Sequence, residues 1–199
     1  MNWGLASGII ALLVLGVFFL CLGKQEFSAL KLVLITTAAA FAAAGRVAFA
    51  PVPNVTPSTF ITMITGYVWG VQAGAAVGVL SGLISNFFLG QGPWTPWQMI
   101  AWGLCGVLGG IVGKNRKELN LWFFVPLCFI AGYFFGFIMN LWHWLTFIYS
   151  LSFKSLIGVY IASFPFDTFH AVGNAVFAFF LGKPFFNILL RFKRYIINT

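Results

Sequence analysis

Charge is what this chain has least of: of its 199 residues only 7% are charged, with three acidic side chains and two histidines. So few carboxylates leave no pair for general acid–base work and no cluster for a metal. The two histidines, His143 and His170, are not spaced as an HExxH zinc motif, and we expect no cofactor. The three cysteines, Cys21, Cys105 and Cys128, are an odd number set apart in apolar runs, so they form no disulfide framework and read as packing residues. The run Leu108–Asn115 lacks the glycine spacing of a phosphate loop and has Asn115 where a hydroxyl belongs, so we expect no ATPase in the chain itself. With so few acid–base groups we expect it to be non-catalytic.

What is abundant is apolar surface, 61% of the residues. A run of about 20 apolar residues crosses a bilayer as a helix. We read apolar segments at about 3–22, 30–50, 58–70, 72–90, 96–113, 121–142 and 156–182, an all-α polytopic membrane protein. The segment at 58–70 is too short to span alone and is expected to be tilted, broken, or paired in a hairpin with the next. Residues 143–155 have mixed polarity and suit a short surface helix. The first segment lacks a basic flank and a cleavage site, and reads as a retained helix.

The net charge of +8 reads as topology and not as a nucleic-acid footprint. Lys24 and Lys31, then Lys114, Arg116 and Lys117, then Lys183, Arg191, Lys193 and Arg194 fall on one side when the segments alternate. That side is expected to be cytoplasmic, with the N-terminus outside and the C-terminus inside.

The outer connectors are then Pro51–Pro57, Gly90–Thr95 and His143–Ser155. Polar residues inside the apolar segments gather near them: Arg46, Asn86, Gln98, Asn140, Asp167, His170 and Asn174. Polar groups in lipid are costly and usually face a cavity or one another, so an outward pocket is expected. Candidate binding residues are Arg46, Asn54, Asn86, Gln91, Trp94, Trp97, Gln98, Asn140, His143, Tyr160, Asp167 and His170. Trp94 and Trp97 suit either a pocket wall or an interfacial anchor. Arg46 and Asp167 either pair or reach water separately. Asp167 and His170 could orient one another, but no nucleophile accompanies them, so a membrane hydrolase is poorly supported.

Small residues repeat at packing intervals. Gly66, Gly70, Gly74, Gly78 and Gly82, and then Gly106/Gly110 and Gly109/Gly113, suit close internal helix packing. The run Ala38–Ala44 holds three overlapping AxxxA pairs and suits either internal packing or a partner helix.

The stretches Ala42–Phe49, Pro51–Val55 and Gly90–Met99 resemble the substrate-binding S-components of energy-coupling factor (ECF) transporters, most closely the cobalamin-specific branch. The similarity covers about residues 30–185, leaving 1–29 as an extra transmembrane helix with its loop and 186–199 as a basic cytoplasmic tail. The resemblance implies a six-helix bundle in a bacterial plasma membrane that binds a vitamin, cobalamin or another, from outside. It implies docking on a membrane T-component with two cytoplasmic ATPase subunits, through an AxxxA face among Ala38, Ala39, Ala42 and Ala43 or, in the third register, Ala40/Ala44. It also implies delivery by toppling in the membrane.

Overall fold

The computed structural model describes residues 28–198, with a few helical positions between 5 and 20 before them. From residue 28 on, six helices follow one another: α1 (Ala29–Ala48), α2 (Ser58–Trp69), α3 (Val71–Leu89), α4 (Thr95–Gly113), α5 (Leu121–Phe147) and α6 (Phe153–Asn198). All but α2 are long and apolar enough to cross a membrane. The chain is therefore an all-α polytopic membrane protein. The extra helix expected over 3–22 lies largely outside the described residues; of those described, Leu15 is buried with Val79 and Met99.

Local chemistry sets the ends. The Ser28 hydroxyl accepts from the Lys31 amide and opens α1, and the Asn120 side chain accepts from the Trp122 amide and opens α5, each satisfying an otherwise orphaned donor. Gly70 alone joins α2 to α3 at φ +93°, a conformation that side-chain-bearing residues avoid. Of the alternatives open to the short segment, it thus forms the helical hairpin with the next helix.

α2 sits at the centre and touches each of the other five helices. Eleven of its twelve residues are buried. It gets this close to α3 and α4 because the facing positions are glycines. A Cβ on Gly66 would collide with the Gly106 carbonyl, one on Gly74 with the Gly66 backbone, one on Gly109 with the Met63 carbonyl and one on Gly113 with the Tyr67 carbonyl. Between α3 and α4, one on Gly106 would collide with the Gly74 carbonyl. The small-residue stripes are spent on internal packing, where dispersion over touching backbones holds helices together in lipid.

Two stretches differ from the hydropathy reading. No surface helix forms over 143–155: α5 continues to Phe147 and α6 starts at Phe153. The residues read as a basic tail continue α6 to Asn198. Phe186 and Leu189 of that extension join the core. The Trp69 indole donates to the Leu189 carbonyl (2.9 Å), and the Lys193 ammonium donates to the Val68 carbonyl (2.7 Å), so Lys193 caps the C-terminal end of α2.

The connectors at 49–57, 90–94 and 148–152 share one end of the bundle, the loop end. The connector 114–120 and the cations of late α6 mark the opposite, basic end.

Candidate functional site

At the loop end, α5 and α6 diverge around a cavity of about 680 Å³. On α5, Gly132, Gly136, Asn140 and His143 recur every three or four residues and so share the face turned to α6. A Cβ on Gly136 would strike the Asp167 carboxylate, so Asp167 occupies the notch that this glycine leaves. The Asn140 amide donates to Asp167 Oδ2 at 2.7 Å and the Ser163 hydroxyl donates to the same oxygen at 2.9 Å. Among the described residues no hydrogen bond engages Oδ1. Phe135, Met139 and Phe166 supply apolar wall, His143 and Ser155 further polar groups, and Asn54 and Gln98 close the rim.

Behind this cavity runs a buried relay. The Trp102 indole donates to Thr59 Oγ1 (3.0 Å), which is 2.9 Å from His170 Nε2; His170 Nδ1 is 3.0 Å from the Asn54 carbonyl. A carbonyl only accepts, so Nδ1 carries the proton, and the Thr59 hydroxyl donates to Nε2. Asn54 takes φ +54°, tolerable for asparagine, and its amide donates to the Phe166 carbonyl (2.7 Å). Two hydrogen bonds therefore hold the 51–57 connector to α6. Asn174 accepts from the Phe60 amide (2.8 Å), satisfying a first-turn donor of α2. Trp102 stacks on Phe135 at 4.6 Å, and Phe135 lies 4.9 Å from the His170 ring.

A third cluster joins α1, α3 and α4. Arg46 Nη1 donates to Ser85 Oγ and Asn86 Oδ1, both at 2.6 Å, and its guanidinium lies 4.9 Å over the Trp102 ring, a cation–π contact. Asn86 in turn donates to Thr95 Oγ1 (2.9 Å) and Gln98 Oε1 (2.8 Å), and Thr95 donates to Gln91 (2.9 Å). The amides of the 85–98 stretch are spent largely on holding its own turn.

Five of the twelve candidates thus line the cavity: Asn54, Gln98, Asn140, His143 and Asp167. Arg46, Asn86, Gln91, Trp94, Trp97, Tyr160 and His170 do not. Trp94 packs edge-on against Trp142, Trp97 against the core, and the Tyr160 hydroxyl donates to the Phe137 carbonyl. His170 is fully buried and reaches the cavity only through Asn54 and Phe135. The Arg46–Asp167 pair does not form, since each is held by its own neutral partners; nor do Asp167 and His170 orient one another. Sequence reading missed Phe135, Gly136, Ser163 and Phe166, of which Ser163 carried a signal in its i, i+4 spacing to Asp167.

The family model for the ECF-type riboflavin transporter, S component, matches residues 26–187. The chain belongs to that family. Comparisons with curated proteins and with solved structures gave no match. As an S-component it is a vitamin-type substrate-binding subunit of a membrane transporter, and membership implies association with an ECF T-component and ATPases. The matched family is riboflavin-type, so the narrower resemblance to the cobalamin branch is not what the match supports.

The alanine run of this S-component resolves into two faces. Ala39, Ala42 and Ala43 are buried within the bundle and Ala38 is half-buried, whereas Ala40, Phe41 and Ala44 are exposed. The AxxxA pair open to a neighbour is Ala40/Ala44. Ala39, Ala42 and Ala43, candidates for a docking face or for internal packing, are buried in this bundle: Ala42 lies in the main core and Ala39 against Ala73, Ala76 and Val77.

Proposed function

We propose that this S-component binds one planar heteroaromatic vitamin of the riboflavin type in the loop-end cavity, and delivers it inward by toppling while docked on its T-component. The observation that carries the reading is the cavity itself. At about 680 Å³ it falls in the range of roughly 300–1,000 Å³ that suits drug-sized ligands. Phe135, Met139 and Phe166 offer faces for a ring system. The Asp167 carboxylate, with Asn54, Gln98, Asn140 and His143, offers polar partners for ring-edge N–H groups and side-chain hydroxyls. A corrinoid carries a macrocycle, amide arms and a nucleotide loop, and would need α5 and α6 to part widely; riboflavin needs no such opening.

The clustering of Lys and Arg at the basic end supports placing that end in the cytoplasm and the cavity outside. The concentration of polar groups at one end supports toppling. A charge at the bilayer centre costs about 2.5–3.5 kcal/mol on insertion scales, and the middle of the bundle carries almost none.

The test is thermal stabilisation of the purified protein by a panel of riboflavin, cobalamin, pantothenate and a pyridine vitamin. Riboflavin is expected to give the largest upward shift. A larger shift with cobalamin would overturn the substrate reading and leave the family intact.

A further inference from the structure

A second cavity, of about 440 Å³, lies at the basic end between the first turns of α5 and the middle of α6. Its polarity is arranged unlike that of the loop-end site. Leu121, Val125, Pro126 and Phe179 make an apolar slot, and the Lys183 ammonium stands at its edge. Trp122, beside that edge, is 89% exposed, as indoles at headgroup level commonly are. An apolar body with one charged end is the complement of an amphiphile, not of a polar solute.

The surroundings choose the charge of that amphiphile. In the 114–120 connector at the same end Lys114, Arg116 and Lys117 outnumber the single acid, Glu118, and Arg116 lies 4.7 Å over the Phe123 ring. Among the described residues no hydrogen bond or ion pair holds Lys183. Such a cation at the membrane surface attracts anionic headgroups. The slot is too small for a whole lipid and suits the upper methylenes of one acyl chain, the remainder lying along α5 and α6 in the bilayer.

We propose that this groove is a binding site for an anionic glycerophospholipid of the leaflet at the basic end, with its phosphate on Lys183 and one chain against Val125, Pro126 and Phe179. The site is independent of the vitamin reading and of which side the basic end faces.

Native mass spectrometry of the full chain, relipidated with phosphatidylglycerol or phosphatidylcholine of identical chains, tests it. Phosphatidylglycerol should be retained about fivefold better. K183Q should abolish that preference, and K154Q, at the loop end, should not. V125W, which fills the slot, should reduce retention of both lipids. K183Q changes an exposed side chain, so it remains informative if V125W fails to fold. Equal retention of the two lipids by the unaltered protein, or a preference that survives K183Q, would overturn the proposal.

Discussion

His170 Nδ1 donates to the backbone carbonyl of Asn54 at 3.0 Å, across 116 positions of sequence. That bond ties a residue at the rim of the cavity to a fully buried side chain of α6, and through Thr59 and Trp102 to α2 and α4. The rim is thereby positioned by the core.

Replacing His170 with phenylalanine keeps a ring but strands the Asn54 carbonyl and leaves the Thr59 hydroxyl proton without its acceptor, although that oxygen still accepts from Trp102. Unsatisfied buried groups cost about 1–3 kcal/mol each, so His170→Phe should lower the unfolding midpoint by several degrees in detergent. Riboflavin binding should weaken as well, because Asn54 loses one of its two tethers. Unchanged stability and binding would show that the relay does not hold the rim.

Asp167→Asn keeps the shape of the notch opposite Gly136 and removes the charge. Hydrogen bonds to charged groups contribute about 1.5–3 kcal/mol, so riboflavin affinity should fall roughly 10- to 100-fold, measured by calorimetry. Association with the T-component should be unaffected.

The two faces of α1 separate by mutation. Ala44→Leu adds bulk to the exposed face and should impair vitamin uptake by the assembled transporter while leaving binding to the isolated subunit unchanged. Ala42→Leu inserts the same bulk into the core, where overpacking costs about 1–3 kcal/mol, and should lower thermal stability. Equal behaviour of the two variants in both assays would refute the assignment of faces.

Gly106→Val places a branched side chain against the Gly74 carbonyl. The α3 and α4 backbones would have to separate, so monodisperse protein on size-exclusion chromatography should fall sharply. Gly158→Val, whose added Cβ meets nothing within 4 Å, is the control for folding and should elute like the unaltered chain; it lines the loop-end cavity, so it is no control for binding.

The helices were legible because long apolar runs and their Gly and Pro breaks declare themselves in one dimension. The extension of α6 was not. Lys183, Arg191, Lys193 and Arg194 lower hydropathy without breaking a helix, and the bonds from Trp69 and Lys193 that secure it span more than a hundred residues. The polar set at the loop end was legible as a set, but its division was hidden. Arg46 is held by Ser85 and Asn86, about forty residues away, and nothing local distinguishes a spent amide from a free one. Asp167, His170 and Asn174 do share a helix face, yet the first looks between α5 and α6 while the others meet the 51–57 connector and α2. The 85–98 turn, with its two tryptophans, carried the most conspicuous sequence signal and contributes Gln98 alone to the cavity wall.

The central claim is that the loop-end cavity is the vitamin site, and quenching of riboflavin fluorescence on titration with purified protein tests it most directly. We expect saturable one-to-one quenching by the unaltered chain, and a rightward shift of about tenfold or more for Asp167→Asn. Absence of saturable quenching by monodisperse protein, or an isotherm that Asp167→Asn leaves unmoved, would contradict the account.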